Sequence, residues 1–191
     1  MLLLASMSPR RMMLLRDWGF QPEIIKVPVS ETLAEDTDPR EGVQLLAERK
    51  ALAGLAEWRK VGGGLECVVL GADTMVVLES RILGKPRTER EAQEMLQLLS
   101  NKQHLVLTGV ALIRDTGERE LAFVETKVNF YKLSAAQIEA YVATGEPMDK
   151  AGAYAIQGGA RKFVESYSGS LTNVICLPME YVSEKLRTWG I

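Results

Sequence analysis

Three stretches combine the residue types that chemistry on a charged substrate requires. Ser6-Met7-Ser8-Pro9-Arg10-Arg11 follows the apolar run Leu2–Ala5 and opens a helical pattern. Hydroxyls, backbone N–H groups and two guanidinium groups then meet at a helix start, where the dipole attracts anions and arginine grips phosphate oxygens as a fork. The same residues also fit a plain helix start, with Ser8 as the cap and the arginines in water. A Walker-type loop is excluded, because its glycines and its lysine are missing. Gly71-Ala72-Asp73-Thr74 is the second stretch. An apolar run that ends in a carboxylate marks a strand end opening on a cleft, where α/β sheets bind ligands. Asp73 there either holds a divalent cation, takes a proton from water, or caps a turn.

The third set is scattered. Lys50 lies on a helix whose charges ordinarily face solvent, whereas Lys85, between Gly84 and Pro86, sits in a fixed turn. Asp149-Lys150-Ala151-Gly152-Ala153-Tyr154 pairs two charges with small residues in a long loop, a common setting for function. Glu31, after Pro28-Val29-Ser30, is a further loop carboxylate. His104 is the only histidine and reads as structural, so Ser–His or Cys–His catalysis has at most that one residue to draw on.

The elements that must position these groups alternate between strand and helix. Leu2–Ala5 reads as a strand, and residues 10–18 as a helix whose apolar side is Met12, Met13, Leu14, Leu15 and Trp18, stopped by Gly19. Residues 23–27 form a second strand candidate. Asp38-Pro39 caps a helix running to about Trp58, with Val43, Leu45, Leu46, Leu52 and Leu55 on its apolar face and Gly62-Gly63-Gly64 as its break. Residues 67–70 make a strand buried on both faces, and Met75–Leu78 a further apolar run. Thr88-Glu89-Arg90-Glu91 is a capping box for a helix to about Leu99. Two long strands, 105–114 and 121–131, flank a hairpin turn at Asp115-Thr116-Gly117. Ser134-Ala135-Ala136-Gln137 opens another helix to Thr144; residues 146–157 read as loop, 163–166 as strand, and 179–189 as the closing helix. The fold class is α/β (mixed α+β), with a mixed sheet in one domain over residues 1–191.

Composition agrees and removes other classes. At 191 residues, 47% hydrophobic and 25% charged, the chain is a globular sequence able to bury a core without metal or disulfide staples. A net charge of −2 is too balanced for a surface given over to nucleic acid. Cys67 and Cys176 match no metal or redox spacing and fit small core residues in a reducing cytoplasm. The opening apolar run is too short for a signal peptide, and no stretch approaches the ~18 apolar residues of a membrane span.

In order, Leu4-Ala5-Ser6-Met7-Ser8-Pro9-Arg10-Arg11, Gly71-Ala72-Asp73-Thr74, Leu83-Gly84-Lys85-Pro86, Leu107-Thr108-Gly109-Val110-Ala111-Leu112 and Gly145-Glu146-Pro147-Met148-Asp149-Lys150-Ala151-Gly152-Ala153-Tyr154 resemble the Maf family of nucleoside triphosphate pyrophosphatases. The resemblance implies a cytoplasmic, metal-dependent enzyme, a homodimer, that splits a nucleoside triphosphate between the α and β phosphates. The implied fold is a twisted mixed sheet flanked by helices, Maf/ITPase-like, with an active-site cleft. Asp73 falls on the family's acid–base position, and Ser6, Arg11, Glu31, Lys50 and Lys85 on its active-site cleft.

From that resemblance follow the expected roles. Arg11, Lys50, Lys85 and Lys150, with Ser6 and Ser8, neutralise the phosphates. Asp73 and Glu31 hold Mg²⁺ or Mn²⁺, and Asp73 is the general base of a direct hydrolysis with no covalent intermediate. Members similar to this chain at Arg10, Thr74 and Gln157 act on dTTP and UTP; relatives that prefer 7-methylguanosine triphosphate lack the combination. The Gln157 amide offers a donor and an acceptor side by side, matching the N3–H and carbonyl of thymine or uracil and mismatching cytosine. Departures are Ser30 for an acidic residue, Ala160 and Cys176 for glycine, and Leu171 for an aromatic. The alternatives are a pyrophosphatase for modified nucleotides, a septum regulator without strong catalysis, and an interaction module. No nucleic-acid or membrane partner is expected.

Overall fold

A computed structural model describes residues 1–63 and 66–191; Gly64 of the expected helix break lies outside them. The elements are β1 (Leu2–Leu4), α1 (Pro9–Asp17), β2 (Glu23–Ile24), α2 (Pro39–Lys60), β3 (Val68–Leu78), β4 (Arg81–Leu83), α3 (Glu89–Leu99), β5 (Gln103–Arg114), β6 (Arg119–Phe130), α4 (Ala135–Val142), β7 (Val164–Ser168), α5 (Leu171–Ile175) and α6 (Met179–Thr188). Short 3₁₀ turns occupy Glu146–Asp149, Ala151–Ala153 and Gly159–Phe163. The strands order as β2-β1-β3-β5-β6-β7, with β4 on β3. Pairing is parallel for β1 with β2 and β3, and antiparallel for β3 with β4 and β6 with β7, so the sheet is mixed, as expected.

Two compact units share these elements: residues 1–74, 108–124 and 176–191 make the first, and 75–107 with 125–175 the second. In the first, the core contains Leu3, Ala47, Ala51, Leu55, Val69, Ala111 and Ile113. Asp38 accepts from the Arg40 N–H and Pro39 takes the first helical position, so α2 starts where the cap signal places it. Its buried face, however, is Val43, Leu46, Ala47, Ala51, Gly54 and Leu55, while Leu45 and Leu52 are about two-fifths exposed. Small residues win that face because α2 lies hard against the sheet. A Cβ on Gly71 would run into the Ala47 carbonyl oxygen, and one on Gly109 into that of Val43. Gly109→Ala is therefore expected to cost about 1–3 kcal/mol by overpacking. Gly84→Ala, which meets nothing within 4 Å, should stay within about 0.5 kcal/mol. Denaturant midpoints of the two variants check the contrast.

In the second unit, Val76, Leu83, Leu96, Leu99, Val106, Val128, Phe130, Tyr141, Tyr154 and Phe163 form the core. Thr88 caps α3 through the Glu91 N–H, but the Glu91 carboxylate accepts from the Arg87 N–H, so the expected box closes one residue early. Ser134 and Gln137 make both halves of theirs. Other expectations shift. Met13 is 62% exposed, leaving Arg11 among the buried positions of α1. Only Glu23–Ile24 of residues 23–27 pair as strand. The strand near residue 163 starts at Val164, and β4 and α5 are additional elements. Among the described residues no helix is long and apolar enough to cross a membrane.

Candidate active site

Asp73 does not end its strand. β3 continues through it to Leu78 because Val76, Val77 and Leu78 pair with Leu83, Ile82 and Arg81 of β4, which turns the second apolar run into a continuation of the first. What changes at this point is the neighbouring strand. Parallel pairing with β1 stops at Leu70, where the Ala5 N–H bonds the Leu70 carbonyl, and β1 gives way to the Ser6–Ser8 loop. The Ala72 carbonyl then goes to a side chain, Arg11.

Arg11 is 7% exposed, and four of its five N–H donors end on protein. Nε reaches the Cys176 carbonyl at 3.1 Å; Nη1 reaches Ser6 Oγ at 3.1 Å and the Ala72 carbonyl at 2.8 Å; Nη2 reaches Thr74 Oγ1 at 3.1 Å. Thr74 Oγ1 also meets Thr108 Oγ1 at 3.0 Å and the Cys176 carbonyl at 3.2 Å. Arg11 thus holds the residues on both sides of Asp73. Cys176 presents its carbonyl from a φ of 155°, a conformation glycine adopts without penalty, so the departure at this position bears on the backbone as well as on packing. Ser6 Oγ accepts from the Ser8 N–H, while the Ser8 hydroxyl makes no capping bond and faces the Cys176 sulfur at 3.9 Å. That removes the simple cap reading of Ser8. Arg10, next in the helix, is half-buried.

Strand alternation puts the Asp73 carboxylate on the face opposite the Thr74 hydroxyl, the face on which Gly71 admits α2. From α2, Lys50 Nζ donates to Asp73 Oδ1 at 2.6 Å and to Glu31 Oε1 at 2.7 Å. Lys50 and Asp73 are mostly buried, with side chains 12% exposed, and Glu31 is open at 61%. The loop carrying Glu31 is tied down by Arg49, whose Nη1 reaches the Thr32 carbonyl at 2.7 Å. Arg49 escaped the sequence reading because only its adjacency to Lys50 distinguishes it from other charges on the helix. Ser30, the departure next to Glu31, uses its hydroxyl on the Thr32 N–H at 3.3 Å.

The second unit carries the other expected residues. Lys85 is exposed beside Gly84, whose carbonyl accepts from the Gly152 N–H at 3.0 Å. The ammonium of Lys150 is spent on the Glu146 carbonyl at 2.7 Å and on Asp149. Gln157 stands exposed at the apex of a turn closed by the Gly158 N–H on the Ala155 carbonyl at 3.1 Å. His104 is buried against Phe130 and Tyr154, with Nε2 2.8 Å from the Tyr154 hydroxyl, and burial lowers its pKa to about 4. It is a neutral core group, as its isolation in the sequence indicates.

A buried arginine at a helix start, and a lysine bridging a strand carboxylate to a loop carboxylate, place the chain among α/β proteins with a charged cluster beside a mixed sheet. Among these, the chain belongs to the Maf family: the family model described as Maf-like protein matches residues 1–189. It is 53% identical over 191 residues to the dTTP/UTP pyrophosphatase of Desulfitobacterium hafniense (strain Y51), covering 100% of this chain and 86% of that one. Identity to the dTTP/UTP pyrophosphatase of Geobacillus sp. (strain WCH70) is 45% over 190 residues, covering 99% and 98%. A HAM1 protein from Coxiella burnetii is similar in chain path, with a TM-score of 0.49 at 17% identity over 98% of each chain.

Proposed function

We propose that this chain hydrolyses dTTP and UTP, adding water to the α phosphorus and releasing the nucleoside monophosphate and pyrophosphate. The observation that supports the site assignment most directly is the bridged cluster of Asp73, Lys50 and Glu31. Asp73 is the general base: its carboxylate takes the proton of the attacking water while Lys50 fixes its orientation. The Ser6–Ser8 loop and Lys50 receive phosphate oxygens, with Lys85 and Lys150 as further phosphate-binding cations, while Arg11 fixes Ala72 and Thr74 on either side of Asp73. Arg10, Thr74 and Gln157 select the base, Gln157 by its paired donor and acceptor.

The donor set also suits a divalent cation. Two carboxylates facing one ammonium are hard oxygen ligands, and Mg²⁺ or Mn²⁺ is commonly held by one or two carboxylates together with substrate phosphates. Asp73 and Glu31 would hold it, and a bound cation supplies charge neutralisation and a more acidic water. A cytoplasmic homodimer completes the reading.

Purified protein should release pyrophosphate from dTTP and UTP with Mg²⁺ or Mn²⁺, and much less from CTP, inosine triphosphate or 7-methylguanosine triphosphate. Preference for either of the last two would transfer the assignment to modified nucleotides. Nucleotide binding without pyrophosphate would leave a regulator.

A further inference from the structure

The turn that presents Gln157 is held at both feet by one pair of side chains, and neither belongs to the site described above. Tyr141, on α4 and 3% exposed, donates its hydroxyl to Glu146 Oε1 at 2.8 Å. The same hydroxyl accepts from the Ala155 N–H at 3.3 Å, on one side of Gln157. Glu146 Oε2 accepts from the Gly159 N–H at 3.1 Å, on the other side. Ile156 and Ala160 are buried at 3% and 0%, so the backbone next to the apex is anchored while Gln157 itself points outward. The carboxylate fills the space where a side chain on Gly158 would stand.

We infer that Glu146 and Tyr141 are positioning residues for base selection, stapling both ends of the Ala155–Gly159 turn so that the Gln157 amide is fixed for the thymine or uracil edge. The inference rests on the base-reading role given to Gln157 above. Selection by hydrogen bonds works only where donor and acceptor are held in place before binding; a loose turn loses the entropy on binding and adapts to the wrong edge. A carboxylate suits the task because it only accepts, one donor on each oxygen. Burial, reinforced by Glu146, pushes the Tyr141 hydroxyl well above its ordinary pKa, so it stays a donor. Glu146→Gln turns an N–H₂ toward one of the two donors and releases one foot, while Tyr141→Phe removes the hydroxyl shared by the other.

The test is kcat/KM for dTTP and CTP in wild type, Glu146→Gln, Tyr141→Phe, Gln157→Ala and the Glu146→Gln/Gln157→Ala double variant, with thermal melts of each. Each single change should lower the dTTP-to-CTP ratio by about tenfold, one hydrogen bond's worth. The loss should appear in KM for dTTP with kcat held within about threefold, and the double variant should fall no further than Gln157→Ala. If Gln157→Ala lowers the ratio while Glu146→Gln and Tyr141→Phe leave it intact, or if the double variant loses the sum of both, the positioning role is overturned and Gln157 stands. If Gln157→Ala leaves the ratio unchanged, the base-reading role falls and this inference with it. Should Glu146→Gln melt below the assay temperature, Tyr141→Phe decides alone.

Discussion

Asp73→Asn is expected to keep the fold and nucleotide binding while kcat for pyrophosphate release drops by about 10²–10⁴-fold, the usual loss for a missing general base. That corresponds to about 3–5 kcal/mol on the barrier. Asparagine matches the shape of aspartate and offers Lys50 Nζ, now 2.6 Å from Oδ1, an acceptor in the same place, so the loss is of proton-accepting capacity. Steady-state pyrophosphate release, calorimetric binding of dTTP and a melting curve separate the three quantities. Turnover near the wild-type rate would remove Asp73 from the role. A lost fold would show instead that the Lys50 ion pair needs its full charge.

What could be read in the sequence follows from how local the determining contacts are. The starts of α2 and α4 depend on Asp38-Pro39 and on Ser134 with Gln137, groups within three residues of each other, and both are in place. The hairpin at Asp115–Gly117 is equally local. Asp73 is legible as the chemical residue of its stretch but its place inside a strand is not, because the continuation of β3 depends on β4, a partner of three residues with no clear pattern of its own. The buried face of α2 departs from the ordinary rule of leucine burial. Here the distance between helix and sheet, set by Gly71 and Gly109, favours alanine and glycine over Leu45 and Leu52. Arg11 and Lys50 were legible as cations beside a carboxylate. That Arg11 would spend itself on two carbonyls and the Thr74 hydroxyl, beyond its neighbour Ser6, depends on residues 61 to 165 positions away, which no spacing encodes.

That expenditure sets the second large effect. Arg11→Lys keeps the charge and loses the fork. An ammonium concentrates its donors on one nitrogen and cannot span the Cys176 carbonyl, the Ala72 carbonyl, Ser6 and Thr74 together. At least two of the four bonds to the charged group are lost, each worth about 1.5–3 kcal/mol. The nucleotide-free protein should therefore lose about 3 kcal/mol, a fall in melting temperature of about 6–12 °C for a chain of this size. Turnover should drop as well, since Ala72 and Thr74 flank Asp73. The absence of nucleotide makes the measurement decisive. A side chain whose work is to grip phosphate would, when shortened to lysine, raise KM and leave the free protein's melting point where it was. A guanidinium that holds the strand under the carboxylate must show its loss before any substrate arrives.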